Sequence, residues 1–189
     1  MKHQERHHML IYNICYIQRG NEVLLLNREK PSWMGCWNGI GGKLEAGESP
    51  RESMEREMME ETGITPTGLT FKGIVSWMVD GTRFGGMYLY AVSVEKSFTY
   101  NTPIKTDEGI LDWKRVDWIM DVHNQGVASN MPQVLQGMRS DMYCYDYHCI
   151  FEKGKLLDIT ATQIDSTLER DEVQREAYLQ KYAVMVHSS

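Results

Sequence analysis

No stretch of the 189-residue chain approaches the roughly 20 consecutive apolar residues of a membrane span, so no membrane partner is expected. The amino-terminal segment holds His3, His7 and His8 among polar residues and lacks the apolar core of a signal peptide, which argues for a cytoplasmic protein. Cysteine is sparse, too. Cys15, Cys36, Cys144 and Cys149 form no CxxC pair, and their wide spacing does not resemble a disulfide framework, so they are expected reduced and mostly buried. Positive charge is also short: the net charge is −6 and no basic stripe exists, which argues against polymeric DNA or RNA as a partner. There is no internal repeat, low-complexity tract or linker. What remains is an ordinary globular composition, 42% hydrophobic and 24% charged, in a length that suits one domain with peripheral additions.

Residues 9–18 (MLIYNICYIQ) are rich in β-branched and aromatic side chains, and 22–27 (EVLLLN) follow across Arg19-Gly20-Asn21, a natural hairpin turn. Further strands are expected at 69–79 and 86–95, joined by a turn around Asp80-Gly81 and Gly85-Gly86, and at 111–116. A terminal hairpin is expected from 142–152 and 156–162, linked by Lys153-Gly154-Lys155, and a packed helix over 165–183. Strands broken by two or three helices indicate an α/β class with a mixed sheet. The expected organisation is a single domain over 1–189, with a core at about 9–160 and a helical extension at about 163–189.

One expected helix breaks a rule of helix chemistry. Ser49 is a suitable N-cap, Pro50 a suitable first residue and Gly63 a suitable C-terminal cap. Between them Glu57, Glu60 and Glu61 share one face, where like charges cost roughly 0.2–0.5 kcal/mol per pair. Glu60 and Glu61 also sit in the last turn, where the helix dipole disfavours anions by about 0.3–1 kcal/mol. An acidic helix taken alone is more often a solvated face, here with Arg51 and Arg56 as partners. A divalent cation would also relieve the repulsion, and hard cations such as Mg²⁺ or Mn²⁺ take oxygen ligands.

The spacing decides between these. It runs Gly42, five residues, Glu48, seven residues, then Arg56-Glu57-Met58-x-Glu60-Glu61-x-Gly63-Ile64. Every fixed position of the Nudix box is filled, and the chain resembles the Nudix hydrolases. The resemblance implies an α/β/α sandwich and a phosphoanhydride hydrolase whose Mg²⁺ or Mn²⁺ is held by Glu57, Glu60, Glu61 and the Gly42 carbonyl. It implies that Arg56 pairs with Glu48, and that Glu57 is the base, with Glu108 as the second choice. Glu108 stands in Thr106-Asp107-Glu108-Gly109, which is a solvated turn or resembles a loop that supplies a further ligand or base in MutT-type members. Lys43, Arg28 and Lys30 are candidates to meet phosphates, or else solvent-facing cations.

Resemblance extends beyond the box, over approximately 9–160. Residues 35–43 (GCWNGIGGK) look like the same stretch in MutT-type oxidised-purine triphosphatases, where the residue matching Asn38 binds the purine base. Those enzymes also carry a pair of acidic residues near the base. Here the segment 124–130 (NQGVASN) offers only amides and a hydroxyl, with Asn130 as the candidate replacement. Trp33, Met34 and Trp37 could form an apolar wall beside the site, whereas Trp113 reads as a core aromatic. Cys144 and His148 could share a strand face, but two further ligands are missing and no zinc site is expected. The favoured substrate is a small nucleotide, 8-oxo-dGTP, cleaved to 8-oxo-dGMP and pyrophosphate. ADP-ribose, sugar nucleotides, dinucleotide polyphosphates and capped RNA are alternatives, as is a nucleotide-sensing module without turnover. Exposed edge strands leave monomer and homodimer both open.

Overall fold

A computed structural model of the protein describes residues 9–140 and 142–186; His3, His7 and His8 lie outside them. The expected first hairpin forms as β1 (Leu10–Arg19) and β2 (Glu22–Arg28), with Gly20 at φ +59° in the turn, a conformation that glycine adopts freely. The other long strands are β4 (Thr70–Val79), β5 (Arg83–Val94), β7 (Gly109–Arg115), β8 (Cys144–Glu152) and β9 (Lys155–Ile164). Two short strands, β3 (Trp37–Asn38) and β6 (Ile104–Lys105), complete a sheet ordered β6-β7-β2-β1-β5-β4-β8-β9, with β3 paired to β2. β1 runs parallel to β5 and β4 parallel to β8, and the remaining pairs are antiparallel, so the sheet is mixed.

Side chains alternate across each strand, and β1 shows what this does. Cys15 and Ile17 enter one core with Leu24, Leu26, Tyr90 and Leu111, covered by Met54 and Met58 of α1 (Pro50–Thr62). Leu179 and Tyr182 of α4 (Glu172–Val186) close the same core. Ile14 and Tyr16 enter a second core with Val23, Leu25 and Leu89 on the opposite face. Ile119 of α2 (Val116–Ile119) and Met131, Val134, Leu135 and Met138 of α3 (Met131–Ser140) cover that face. The result is an α/β/α sandwich. Leu24, Leu25 and Leu26 are 0% exposed, and each such burial stabilises by about 1.5–3 kcal/mol.

The ends of α1 follow its chemistry. The Ser49 hydroxyl accepts the Glu52 N–H, and the Glu52 carboxylate accepts the Ser49 N–H at 2.9 Å, a reciprocal capping box. At the other end Gly63, at φ +68°, donates its N–H to Met59 O at 2.9 Å.

Two expectations need correction, and one helix was not expected. Gly85 and Gly86 lie inside β5 rather than in the turn, because a Cβ there would meet the Trp77 indole at 2.5 Å and Leu10 Cδ2 at 2.3 Å. The helix expected over 165–183 is divided. Asp165 caps a 3-10 turn (Ser166–Glu169) by accepting the Thr167 N–H at 2.8 Å, and Asp171 begins α4 by accepting the Gln174 N–H at 2.9 Å. Helix α3 is not anticipated at all, although Met131, Val134, Leu135 and Met138 follow the i, i+3, i+4, i+7 pattern. Gly137 interrupts its propensity, and a Cβ there would lie 2.5 Å from the Tyr147 hydroxyl oxygen.

Candidate active site

The glycine loop before α1 is pinned to the helix by one buried side chain, Asn13, which is 3% exposed. Its Nδ2 donates to Ser53 Oγ of α1 at 2.9 Å, and its Oδ1 accepts the Gly42 N–H at 3.1 Å. Its backbone N–H donates to Gly42 O at 2.9 Å. Sequence reasoning passes over Asn13, yet a lone amide in the apolar run LIYNICY was the signal, since a buried amide must find partners. The absence of a side chain on Gly42 is required: a Cβ would sit 2.4 Å from Glu57 Oε1.

Around this loop one cleft of about 570 Å³ is lined by Arg28, Gly41, Gly42, Glu57, Glu60, Glu61, Thr106, Asp107 and Glu108. Arg28 comes from the end of β2, the three glutamates from α1, and residues 106–108 from the loop before β7. That loop is held to the end of β2: Glu29 N–H donates to Glu108 O at 3.0 Å, Lys105 pairs with Glu29 at 2.9 Å, and Lys30 pairs with the Glu108 carboxylate. A larger depression of about 730 Å³ lies over Arg19, Tyr100 and Trp113, but Asp112 and Glu22 in its lining are already paired with Lys114 and Arg19. The acidic cleft instead gathers five carboxylates.

Arg56 organises the acidic face. Its Nε and Nη2 grip Glu48 at 2.7 and 3.0 Å, and its Nη1 reaches Glu57 Oε1 at 3.0 Å and Glu60 Oε2 at 3.1 Å. The bidentate guanidinium pulls the Glu48 carboxyl down to about 2. Glu61 behaves oppositely. Burial pushes it up to about 8, with the Glu57 and Glu108 charges adding, while the Gly41 N–H at 3.1 Å and Arg28 oppose. Burial also raises Glu57, against the pull of Arg56.

These shifts carry a sign. Glu61 ordinarily titrates at 4.5 and in the folded chain at about 8, so between those values the native state holds a proton that the unfolded chain has released. The contribution of Glu61 to stability without metal is then fullest below 4.5 and is lost as the pH rises towards 8. Thermal melts of chelator-treated protein should show that fall, and added Mn²⁺ should reverse it at the alkaline end. A melting temperature flat across this window, or rising with pH, would contradict the burial of Glu61.

Among the described residues, no three His, Cys, Asp or Glu side chains are already converged as a metal cage. The glutamate oxygens instead hydrogen-bond Arg56 and the Gly41 N–H. The donor set nevertheless fits a hard divalent ion: five carboxylates line one cleft, and burial raises those of Glu57 and Glu61 against the pull of Arg56 and Arg28. Gly42 O already accepts the Asn13 N–H, whereas no hydrogen bond to Gly41 O occurs among the described residues.

A model of the NUDIX domain matches residues 8–134. The chain belongs to the Nudix family. It is 33% identical over 125 residues to YvcI of Bacillus subtilis, an uncharacterised Nudix hydrolase, covering 66% of this chain and 75% of that one. Among solved Nudix structures, the mutator MutT protein of Bacillus halodurans superposes with a TM-score of 0.64 at 27% identity, covering 79% of this chain and 95% of that one. A MutT Nudix hydrolase of Burkholderia pseudomallei gives 0.55 at 22% identity, covering 67% and 95%, which speaks for the Nudix fold alone.

Other singled-out residues fall outside the cleft lining. Lys43 is exposed, and its carbonyl accepts from Arg56 Nη2 at 3.3 Å. Asn130 donates to Cys149 Sγ at 3.7 Å. Asn38 is nearly buried beside Tyr16, whose hydroxyl donates to it at 3.3 Å. Of the expected apolar wall, Trp33 packs against Phe151 with ring centres 6.0 Å apart, but Trp37 lies under the Lys114 ammonium at 4.1 Å and Met34 is 65% exposed. Tyr12 and Trp77, which sequence reasoning did not single out, form a second aromatic pair at 6.5 Å. Trp113 is partly buried, with Arg19 4.0 Å above its ring. Cys144 contacts Phe71 O and His148 shares a hydrogen bond with Ser76, so neither faces the other as a ligand pair.

Proposed function

We propose that this Nudix protein is a nucleoside triphosphate pyrophosphohydrolase, releasing a nucleoside monophosphate and pyrophosphate. The observation that carries this is the cleft in which Glu57, Glu60 and Glu61 of one helix oppose Asp107 and Glu108, with Arg28 at its wall. Glu57, Glu60, Glu61 and the carbonyl of Gly41, in place of Gly42, would hold Mg²⁺ or Mn²⁺. When bound, such an ion neutralises phosphate charge and lowers the pKa of water. Arg28 faces the polyphosphate. Glu57, whose carboxyl is raised by burial, takes the proton from the attacking water, with Glu108 as the alternative once it leaves Lys30. Arg56 acts as a positioning residue, since its guanidinium touches Glu48, Glu57 and Glu60 and does not line the cleft. Lys43 and Asn130 are assigned no contact with the reacting phosphates.

The base is proposed to lie on the β1 face beyond Lys43, which bridges to Tyr12. Tyr12, Trp77, Trp33 and Phe151 supply aromatic surface there, and Asn38 supplies a polar contact. Oxidised dGTP is the proposed physiological substrate. A panel of 8-oxo-dGTP, dGTP, ATP, ADP-ribose and dinucleotide polyphosphates, with Mg²⁺ and product identification, tests the assignment. Release of pyrophosphate from 8-oxo-dGTP with the highest kcat/KM is expected. Faster cleavage of ADP-ribose than of any triphosphate would refute the substrate class.

A further inference from the structure

We infer that Asn13 is a positioning residue for the divalent ion: its side-chain amide, acting through Ser53, fixes the spacing between the glycine loop and α1 and thereby sets how tightly the ion is held. The inference rests on the metal site proposed above and extends it to two residues that do not line the cleft.

An ion shared by the Gly41 carbonyl and the α1 carboxylates takes its ligands from two separate segments, and Mg²⁺ tolerates little departure from its preferred geometry. Something must hold the two segments at one distance. Backbone contacts lay the loop along β1: Asn13 N–H donates to Gly42 O at 2.9 Å, Cys15 N–H to Ile40 O at 2.7 Å and Leu44 N–H to Ile11 O at 2.9 Å. These do not depend on the side chain at position 13, and none of them reaches α1.

The Asn13 side chain does reach it. Its Oδ1 accepts the Gly42 N–H at 3.1 Å, so this one residue engages both backbone groups of Gly42. Its Nδ2 donates to Ser53 Oγ at 2.9 Å. Turning the amide over would set its NH2 against the Gly42 N–H, donor to donor, so the orientation is fixed. The carbonyl left for the ion is that of Gly41, which lines the cleft and on which a Cβ would collide with the Asn13 backbone oxygen.

Ser53 carries the link into the acidic face. It is 0% exposed on α1, and its Oγ accepts from Asn13 and, at 3.4 Å, from Arg56 Nη2. Its own hydrogen is then left for Glu48, whose carboxylate it helps to stabilise. Arg56 in turn holds Glu48, Glu57 and Glu60. A chain of hydrogen bonds therefore runs from the Gly42 peptide to the glutamates. Two other links join loop and helix, and each is weaker. Arg56 reaches Lys43 O at 3.3 Å in an exposed position, and the Gly41 N–H bonds Glu61, a carboxylate that the ion itself would claim. The link through Asn13 is buried and uses no ligand of the ion.

The test measures Mn²⁺ affinity by isothermal titration calorimetry on nucleotide-free protein, with thermal melts in chelator alongside. Asn13→Ala keeps the backbone contacts of β1 and removes the link, so the Kd for Mn²⁺ should rise about 10-fold, the scale on which partners behind metal ligands act. Ser53→Ala should raise it about 5-fold, and the double variant no further than Asn13→Ala alone, because two parts of one link are not additive. Turnover of a triphosphate by Asn13→Ala should fall at limiting Mg²⁺ and recover as Mg²⁺ is raised. Ile119→Val, in the second core on the face of the sheet opposite α1, controls for lost stability alone and should leave the Kd unchanged.

A Kd for Asn13→Ala within about 2-fold of the parent, with a lower melting temperature, would make Asn13 a packing residue and overturn the inference. Effects that multiply in the double variant would show the two residues acting separately and refute the link through Ser53. Should Asn13→Ala fail to fold, Ser53→Ala still decides: a Kd raised there but not in Ile119→Val supports the link, and equal values refute it. The metal site fails by a different result. If Glu61→Gln leaves the Mn²⁺ Kd unchanged, the ion is not held in this cleft at all.

Discussion

Replacing Glu57 with Gln is expected to lower kcat by roughly 10³-fold, the scale seen when a single group that stabilises transition-state charge is removed. The substitution keeps the size of the side chain and removes the charge. Glu57 lies against the Gly42 backbone, shares Arg56 with Glu48 and Glu60, and is pushed by burial towards its neutral form. Neutralising a desolvated carboxylate among other carboxylates should not weaken the metal-free fold. The variant should therefore melt, with chelator present, no lower than the parent protein, while Mn²⁺ protects it less. Turnover of 8-oxo-dGTP within about 3-fold of the parent would remove the cleft from consideration as the hydrolytic site, since a base or ligand is worth far more.

The largest loss of stability should come from Asp146→Ala. Asp146 on β8 is 0% exposed, and its carboxylate accepts hydroxyls from Ser76 at 2.6 Å, Tyr178 at 2.9 Å and Tyr182 at 2.5 Å. Lys181 Nζ stands 3.7 Å away. Removing the acceptor leaves these hydroxyls and a cation without their partner, a change that costs about 3–5 kcal/mol for buried charged networks. Urea unfolding should show the midpoint falling by that equivalent, and Asp146→Asn should lose less because it retains one acceptor oxygen. A loss below about 1 kcal/mol would mean the network contributes no more than an ordinary hydrogen bond.

A second set of contacts ties the carboxy-terminal segment to α1. Glu169 of the 3-10 turn, 6% exposed, accepts the Tyr90 hydroxyl at 3.2 Å and pairs with Arg51 of α1 at 2.8 Å. Loosening α4 from Asp146 therefore bears, through Glu169 and Arg51, on the helix that carries Glu57 and Glu61.

What could be read in advance was whatever depends on local chemistry. Ser49, Pro50 and Gly63 delimit α1 because caps answer to backbone groups within a few residues, and the period of the box places Glu57, Glu60 and Glu61 on one face. Glu108, far away in sequence, joins them only because β7 pairs with β2, whose register sets Arg28 opposite Gly109. Features decided by distant neighbours were not visible. Gly85 and Gly86 look like turn residues until Trp77 and Leu10 are seen to occupy the space above them. Asn13 and Tyr16 look like ordinary strand residues, because nothing in β1 announces that Ser53, Gly42 and Asn38 lie within hydrogen-bond reach. The aromatic pairs were only partly visible for the same reason: Trp33 was singled out, while its partner Phe151 and the pair Tyr12–Trp77 meet only in the folded sheet.

The capping box at Ser49 and the left-handed Gly63 have a consequence for how this protein can change over evolution. They clamp both ends of α1, so the count of residues between them acts as a ruler. Each residue turns a helix by about 100°, and one inserted or deleted between Pro50 and Glu57 would swing the carboxylates off the glycine loop by more than a quarter turn. Substitutions along the exposed side of α1 can accumulate, but its length cannot drift.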